Sequence, residues 1–96
     1  MTAYVMFIRE EPYHDEAAIA EYTRLAIAGM GESKANPLVA NGAIEALEGD
    51  APNGVVTVSF PTMEDARAWY NSPGYQAAIP FRKKGSNYRV FLVEGR

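Results

Sequence analysis

Cysteine is absent. That excludes disulfides, thiol catalysis, iron–sulfur clusters and zinc fingers. Histidine occurs once, at His14. One histidine and no cysteine make a stable transition-metal site improbable; axial haem ligation needs only one histidine, but no motif supports it. No cofactor and no metal are therefore expected. Positive charge is not in excess: nine Lys and Arg stand against twelve Asp and Glu, a net charge of −3. Nucleic-acid binders displace counterions with a basic surface, so no nucleic-acid partner is expected. The basic cluster Arg82, Lys83, Lys84 reads as a solvated helix end. No apolar run approaches the roughly 20 residues of a membrane span. The apolar stretch within Met1–Glu11 is too short for a signal peptide. A cytoplasmic protein with no membrane partner is the expectation.

What remains is ordinary globular material. The 96 residues are 48% apolar and 22% charged, close to the globular average. That predicts one domain over residues 1–96, burying roughly 60–65% of its unfolded surface. Residues 3–9 are β-branched and aromatic and are bounded by Glu-Glu-Pro, which predicts a strand. From Asp15 to Met30, the residues Ile19, Tyr22, Leu25, Ala26 and Gly29 recur at helical steps. His14 or Asp15 can cap that helix. Leu38–Leu47 reads as a second strand with a bulge at Gly42, and residues 48–54 as a turn. Val55–Phe60 reads as a third strand, pairing antiparallel with the second. Thr62-Met-Glu-Asp65 is a capping box with Asp65 in the place of the usual Glu. Ser72-Pro73 restarts a short helix that runs through Ile79, and Pro80 breaks or kinks it. Tyr88–Val93 is the last strand.

The order β-α-β-β-α-β is the ferredoxin-like α+β pattern, a four-stranded antiparallel sheet with both helices on one face. RNA-recognition domains share this order, but their third strand carries paired aromatics. Val55–Phe60 has one aromatic, at its end. Two strands are apolar on both sides: Val5 and Phe7 oppose Met6 and Ile8, and Val90 and Leu92 oppose Phe91 and Val93. Side chains alternate across a strand, and two helices cover one face. The other face would be an apolar patch larger than monomers usually expose. A homodimer packed sheet to sheet is expected, unless loop 31–37 or the tail folds over that face.

The segment Phe60-Pro-Thr-Met-Glu-Asp-Ala-Arg-Ala-Trp-Tyr-Asn-Ser-Pro-Gly-Tyr-Gln-Ala-Ala-Ile-Pro-Phe-Arg82 resembles the bacterial domain-of-unknown-function family 1330. Ala3-Tyr4-Val5, Ile44–Gly49 and Val90–Gly95 extend the likeness over nearly the whole chain. The resemblance implies membership of the dimeric α+β barrel superfamily, with no established general activity. Many relatives carry an Arg-Gly-Gly within the second strand. Here the stretch reads Asn36-Pro-Leu-Val-Ala-Asn-Gly42, without the arginine.

The superfamily includes cofactor-independent monooxygenases and isomerases, whose pockets lie between helices and sheet. Its quinone-forming monooxygenases use an Asn, a Trp, a Tyr and an Arg. Asn41, Trp69, Tyr75 and Arg89 stand in loosely comparable places and are the catalytic candidates. Such a site would bind a phenolic substrate, stabilise its anion and let it react with oxygen. Tyr22, Tyr70, Ser72 and Arg82 are the substrate-binding candidates; any of the arginines can fork a carboxylate, and Arg82 is the preferred anion anchor because it stands within the motif that carries the resemblance. Each has a plainer reading. Trp69 and Tyr70 fill a core by helical spacing, Ser72 caps a helix, and Arg82 forms an ion pair. His14 beside Asp15 reads as a capping or exposed residue rather than a general base. If the candidates converge, an open pocket of about 300 Å3 or more is expected. Oxidation or isomerisation of a phenol or carboxylate is one functional class. A non-catalytic ligand-binding or structural homodimer is the other.

Overall fold

The structure is a computed structural model that describes residues 1–31 and 33–96. Its elements are β1 (Ala3–Arg9), α1 (Glu16–Met30), β2 (Asn36–Ala40), β3 (Gly54–Phe60), α2 (Met63–Tyr70), α3 (Pro73–Gly85) and β4 (Tyr88–Glu94). The strands form one antiparallel sheet in the order β2-β3-β1-β4. This is the ferredoxin-like arrangement, with its second helix split in two.

Two local expectations are corrected. β2 ends at Ala40 rather than Leu47. Asn41 takes the left-handed conformation (φ 57°), which asparagine tolerates better than most residues. Its N–H still donates to the Val55 carbonyl at 2.9 Å, but residues 42–53 leave the sheet. Pro80 does not break its helix; α3 runs on to Gly85. A proline strips the carbonyl four residues earlier of its partner. Here that residue is Gln76, and both it and Pro80 are exposed. Water can take the freed carbonyl.

All three helices begin on a side-chain cap. Asp15 accepts from the Ala18 N–H at 3.0 Å, Thr62 from Asp65 at 3.0 Å, and Ser72 from Tyr75 at 3.4 Å. The Ala18 N–H holds the Asp15 carboxyl below its ordinary value, helped by Lys84 3.6 Å away. The depressed value means that Asp15 contributes stability above the ordinary pKa of 3.8. That contribution is lost as pH falls from there through the lower folded value. Asp15→Ala is therefore expected to destabilise the protein at neutral pH. The gap to wild type should close in acid, as followed by denaturant midpoints across pH.

The core lies between the sheet and the helices. Ala3, Val5 and Phe7 of β1 pack there with Val58, Phe60, Ala66, Trp69, Tyr75 and Ile79. α1 rides closely on α3. A Cβ on Gly74 would sit 3.2 Å from Gly29 Cα, so the backbones meet where neither helix carries a side chain. Because α1 leans on α3 rather than lying flat on the sheet, a gap opens between α1 and strands β2 and β3. On the opposite sheet face Phe91 and Val93 are 42% and 46% exposed.

Candidate functional site

The gap is a cavity of about 230 Å3. Phe7, Val56 and Val58 form its sheet side, and Ile19, Tyr22, Ala26 and Met30 its α1 side. Trp69 closes one flank; Tyr13, Asn41 and Tyr88 also line it. The lining is mostly apolar, with a few polar groups, as is usual for small-molecule sites.

Those polar groups are mostly donors. The Tyr22 and Tyr75 hydroxyls are 3.0 Å apart, so one donates to the other and one proton is left over. Tyr75 is fully buried. Burial, then the Tyr22 hydroxyl beside it, raises its pKa well above the ordinary phenol range. Burial also raises Tyr22, and pushes Tyr88 up to about 12, with Tyr13 adding to the rise. All three hydroxyls keep their protons at neutral pH. Trp69 Nε1 is buried with no acceptor.

Behind this wall sits Arg82, 4% exposed. Its guanidinium carbon lies 5.5 Å from the Tyr88 ring centroid and 6.0 Å from that of Phe7. It makes no ion pair among the described residues, and its Nε has no acceptor.

The candidates from sequence therefore divide. Asn41, Trp69 and Tyr22 line the cavity. Tyr75 stands one hydrogen bond behind Tyr22, and Arg82 one ring behind Tyr88 and Phe7. Tyr70 packs on Tyr75 with ring centroids 5.5 Å apart, but lines a different hollow, with Val5, Val90 and Leu92. Ser72 is a cap, and its hydroxyl donates to the Trp69 carbonyl at 2.6 Å. Arg89 does not join the cavity. Strand alternation puts it opposite Ile8 on the open sheet face, where it pairs with Glu10. His14 is exposed and within 2.7 Å of Glu11. The cavity is also smaller than the expected 300 Å3.

Two of the lining tyrosines, Tyr88 and Tyr13, are not among the candidates from sequence. Tyr88 was within reach, since it shares the alternation of Val90 and Leu92 and so faces the helices. Tyr13 sits in an irregular stretch, where no periodicity aims a side chain.

A model of one family matches residues 2–96, the family described as a domain of unknown function, DUF1330. This chain belongs to it. No curated protein matches the chain. Solved structures share the fold at low identity. A protein of unknown function from Rhodopseudomonas palustris, RPA0582, superposes with a TM-score of 0.77 at 13% identity, over 99% of this chain and 82% of that one. A dimeric ferredoxin-like protein of unknown function from Jannaschia sp. CCS1 gives 0.73 at 11%, over 99% and 100%. SnoaB of Streptomyces nogalater, a cofactor-independent oxygenase, gives 0.64 at 12%, over 99% and 92%.

Within this DUF1330 chain, the cavity can hold an apolar ring by contact and hydrogen-bond an oxygen on it. Among the described residues no Asp, Glu, His or Lys lines it, and no helix is long and apolar enough to cross a membrane.

Proposed function

We propose that the cavity binds one small aromatic ring bearing an acceptor oxygen, and that the bound anion reacts with molecular oxygen without a cofactor. One observation carries this reading: Trp69, whose Nε1 has no acceptor among the described residues, and Tyr22, one of the two paired tyrosines, line an apolar cavity. Preorganised donors stabilise negative charge where water is excluded. An apolar cavity of about 150 Å3 holds benzene, so this one suits a single substituted ring rather than a fused system. The fold shared with SnoaB supports the oxygenase chemistry as analogy of fold.

In the proposed step the phenol proton leaves to water at the mouth. The phenolate gives one electron to oxygen, and the ring radical and superoxide join at the para carbon. The peroxide anion so formed takes a proton back from water, and the hydroperoxide then loses water, so phenol plus oxygen becomes quinone plus water.

A non-catalytic binder is the second reading. It is favoured by the same lining, which offers no carboxylate or imidazole to take the phenol proton. The chain's one tryptophan is in the cavity wall, so its emission reports occupancy. Titration with single-ring phenols and hydroxybenzoates is expected to quench it saturably, and an oxygen electrode to record uptake matched by quinone. Saturable quenching without uptake leaves the binder standing. No saturable quenching removes the ligand site altogether.

The assembly that fits is a homodimer through the open sheet face. Met6 and Ile8 of β1 share that face with Phe91 and Arg89 of β4 by register. The same face of a second copy is the simplest cover for it. The Jannaschia protein, which shares the fold, is dimeric, and this supports the reading.

A further inference from the structure

Three polar or charged residues are buried among those described: Ser59, Ser86 and Arg82. Ser86 is satisfied by the Glu11 and Pro12 carbonyls at 3.0 and 3.1 Å, and Ser59 reaches the Asn36 carbonyl at 3.4 Å. Arg82 is different in kind. Tyr75, Ala78, Ile79, Arg82 and Gly85 are the buried residues of α3. They recur at helical steps, so Arg82 occupies a place on the core-facing stripe where an apolar residue is the default. A guanidinium keeps its charge in proteins, and a buried charge without a partner is costly.

The groups around it supply no counter-charge. Among the described residues they are Tyr22 from α1, Tyr75 from α3 itself and Tyr88 from β4, with the ring of Phe7 from β1. None is an acid. The two rings that Arg82 lies against, Tyr88 and Phe7, also line the cavity.

We propose that Arg82 is a positioning residue whose charge, acting across Tyr88 and Phe7, selects the ligand in its ionised form. The cavity then takes an acidic single-ring compound, a carboxylate or an acidified phenol, as its anion. This rests on the ligand site proposed above. The tyrosines do not compete for the role, because burial holds their protons on. A ligand group with a lower ordinary pKa ionises instead. An opposite charge within about 4–6 Å favours the ionised form by about 1–3 pKa units. Arg82 acts across a ring whose centroid is itself 5.5 Å away, beyond that distance, so a smaller effect, at most about tenfold in the ionised-to-neutral ratio, is expected.

The test uses para-nitrophenol, which titrates near neutral pH and absorbs visibly only as the phenolate. Its spectrum is titrated against pH when bound to the wild-type chain, to Arg82→Met and to Arg82→Gln. The expected result is a bound phenolate-to-phenol ratio measurably higher in wild type than in either neutral variant, by at most about tenfold. para-Nitroanisole, which cannot ionise, is expected to bind all three alike, as a merely structural role for Arg82 would not predict. Equal ratios in wild type and variants overturn the proposal and leave the ligand site intact. Failure of both compounds to bind wild type overturns the ligand site itself. Should Arg82→Met not fold, Arg82→Gln and wild type still give the comparison.

Discussion

Arg82→Met is expected to raise the unfolding midpoint, although it removes a charged residue from the heart of the chain. Replacing buried charges by apolar side chains of similar volume is often neutral or stabilising, by about 1–4 kcal/mol. Arg82 has no ion pair among the described residues to lose. Methionine is unbranched and can fill the stem's place between Phe7 and Tyr88. Each kcal/mol moves the midpoint of a chain this size by about 4–8 °C. Thermal unfolding at matched protein concentration checks the sign. Arg82→Ala should instead destabilise, because it leaves a void. The account thus places selection for an anion and stability in opposition at one residue. A clear fall in the Arg82→Met midpoint would show that the guanidinium is held by contacts other than those described.

The second large effect is expected on the open sheet face. Phe91→Glu should convert a dimer into monomers: Arg89, whose guanidinium carbon lies 5.4 Å from the Phe91 ring centroid, is already paired with Glu10, so the added carboxylate would be buried at the interface without a counter-charge of its own. Phe91 lies opposite Met6 on β1, so the new charge would fall among apolar side chains from both strands. Phe81→Glu is the control: Phe81 is 37% exposed on α3, away from the sheet. Light scattering is expected to give a dimeric mass for wild type and Phe81→Glu and a monomeric mass for Phe91→Glu. A monomeric wild type would contradict the assembly.

The order of elements was legible because strand alternation, caps and turn residues agree along this chain. Thr62 and Ser72 announced their helices, and each caps one. What misled was punctuation. Pro80 reads as a stop by propensity, yet its lost hydrogen bond falls on an exposed carbonyl, so packing of Ile79 and Arg82 carries α3 past it. That misreading hid Arg82's place on the buried stripe. The far end of β2 was overextended because Ile44 and Leu47 look like strand residues. Both are exposed, Leu47 at 86%, and no partner strand is there to pair them. For the site, Asn41, Trp69 and Tyr22 came from sequence. Arg89, a candidate from the family likeness, is the neighbour of the cavity residue Tyr88, and a shift of one residue on a strand reverses the face. The pairing of the Tyr22 and Tyr75 hydroxyls joins α1 to α3 across the fold, and no local pattern foretells it.

The central claim is that the cavity beside Trp69 receives an anion. The chain's one tryptophan gives a single indole N–H resonance, and its Nε1 has no acceptor in the free protein. Benzoate added to isotope-labelled protein is expected to move that resonance downfield and saturably, as the N–H gains a charged acceptor, while benzene moves it little. An indole resonance that stays in place at saturating benzoate would contradict the account.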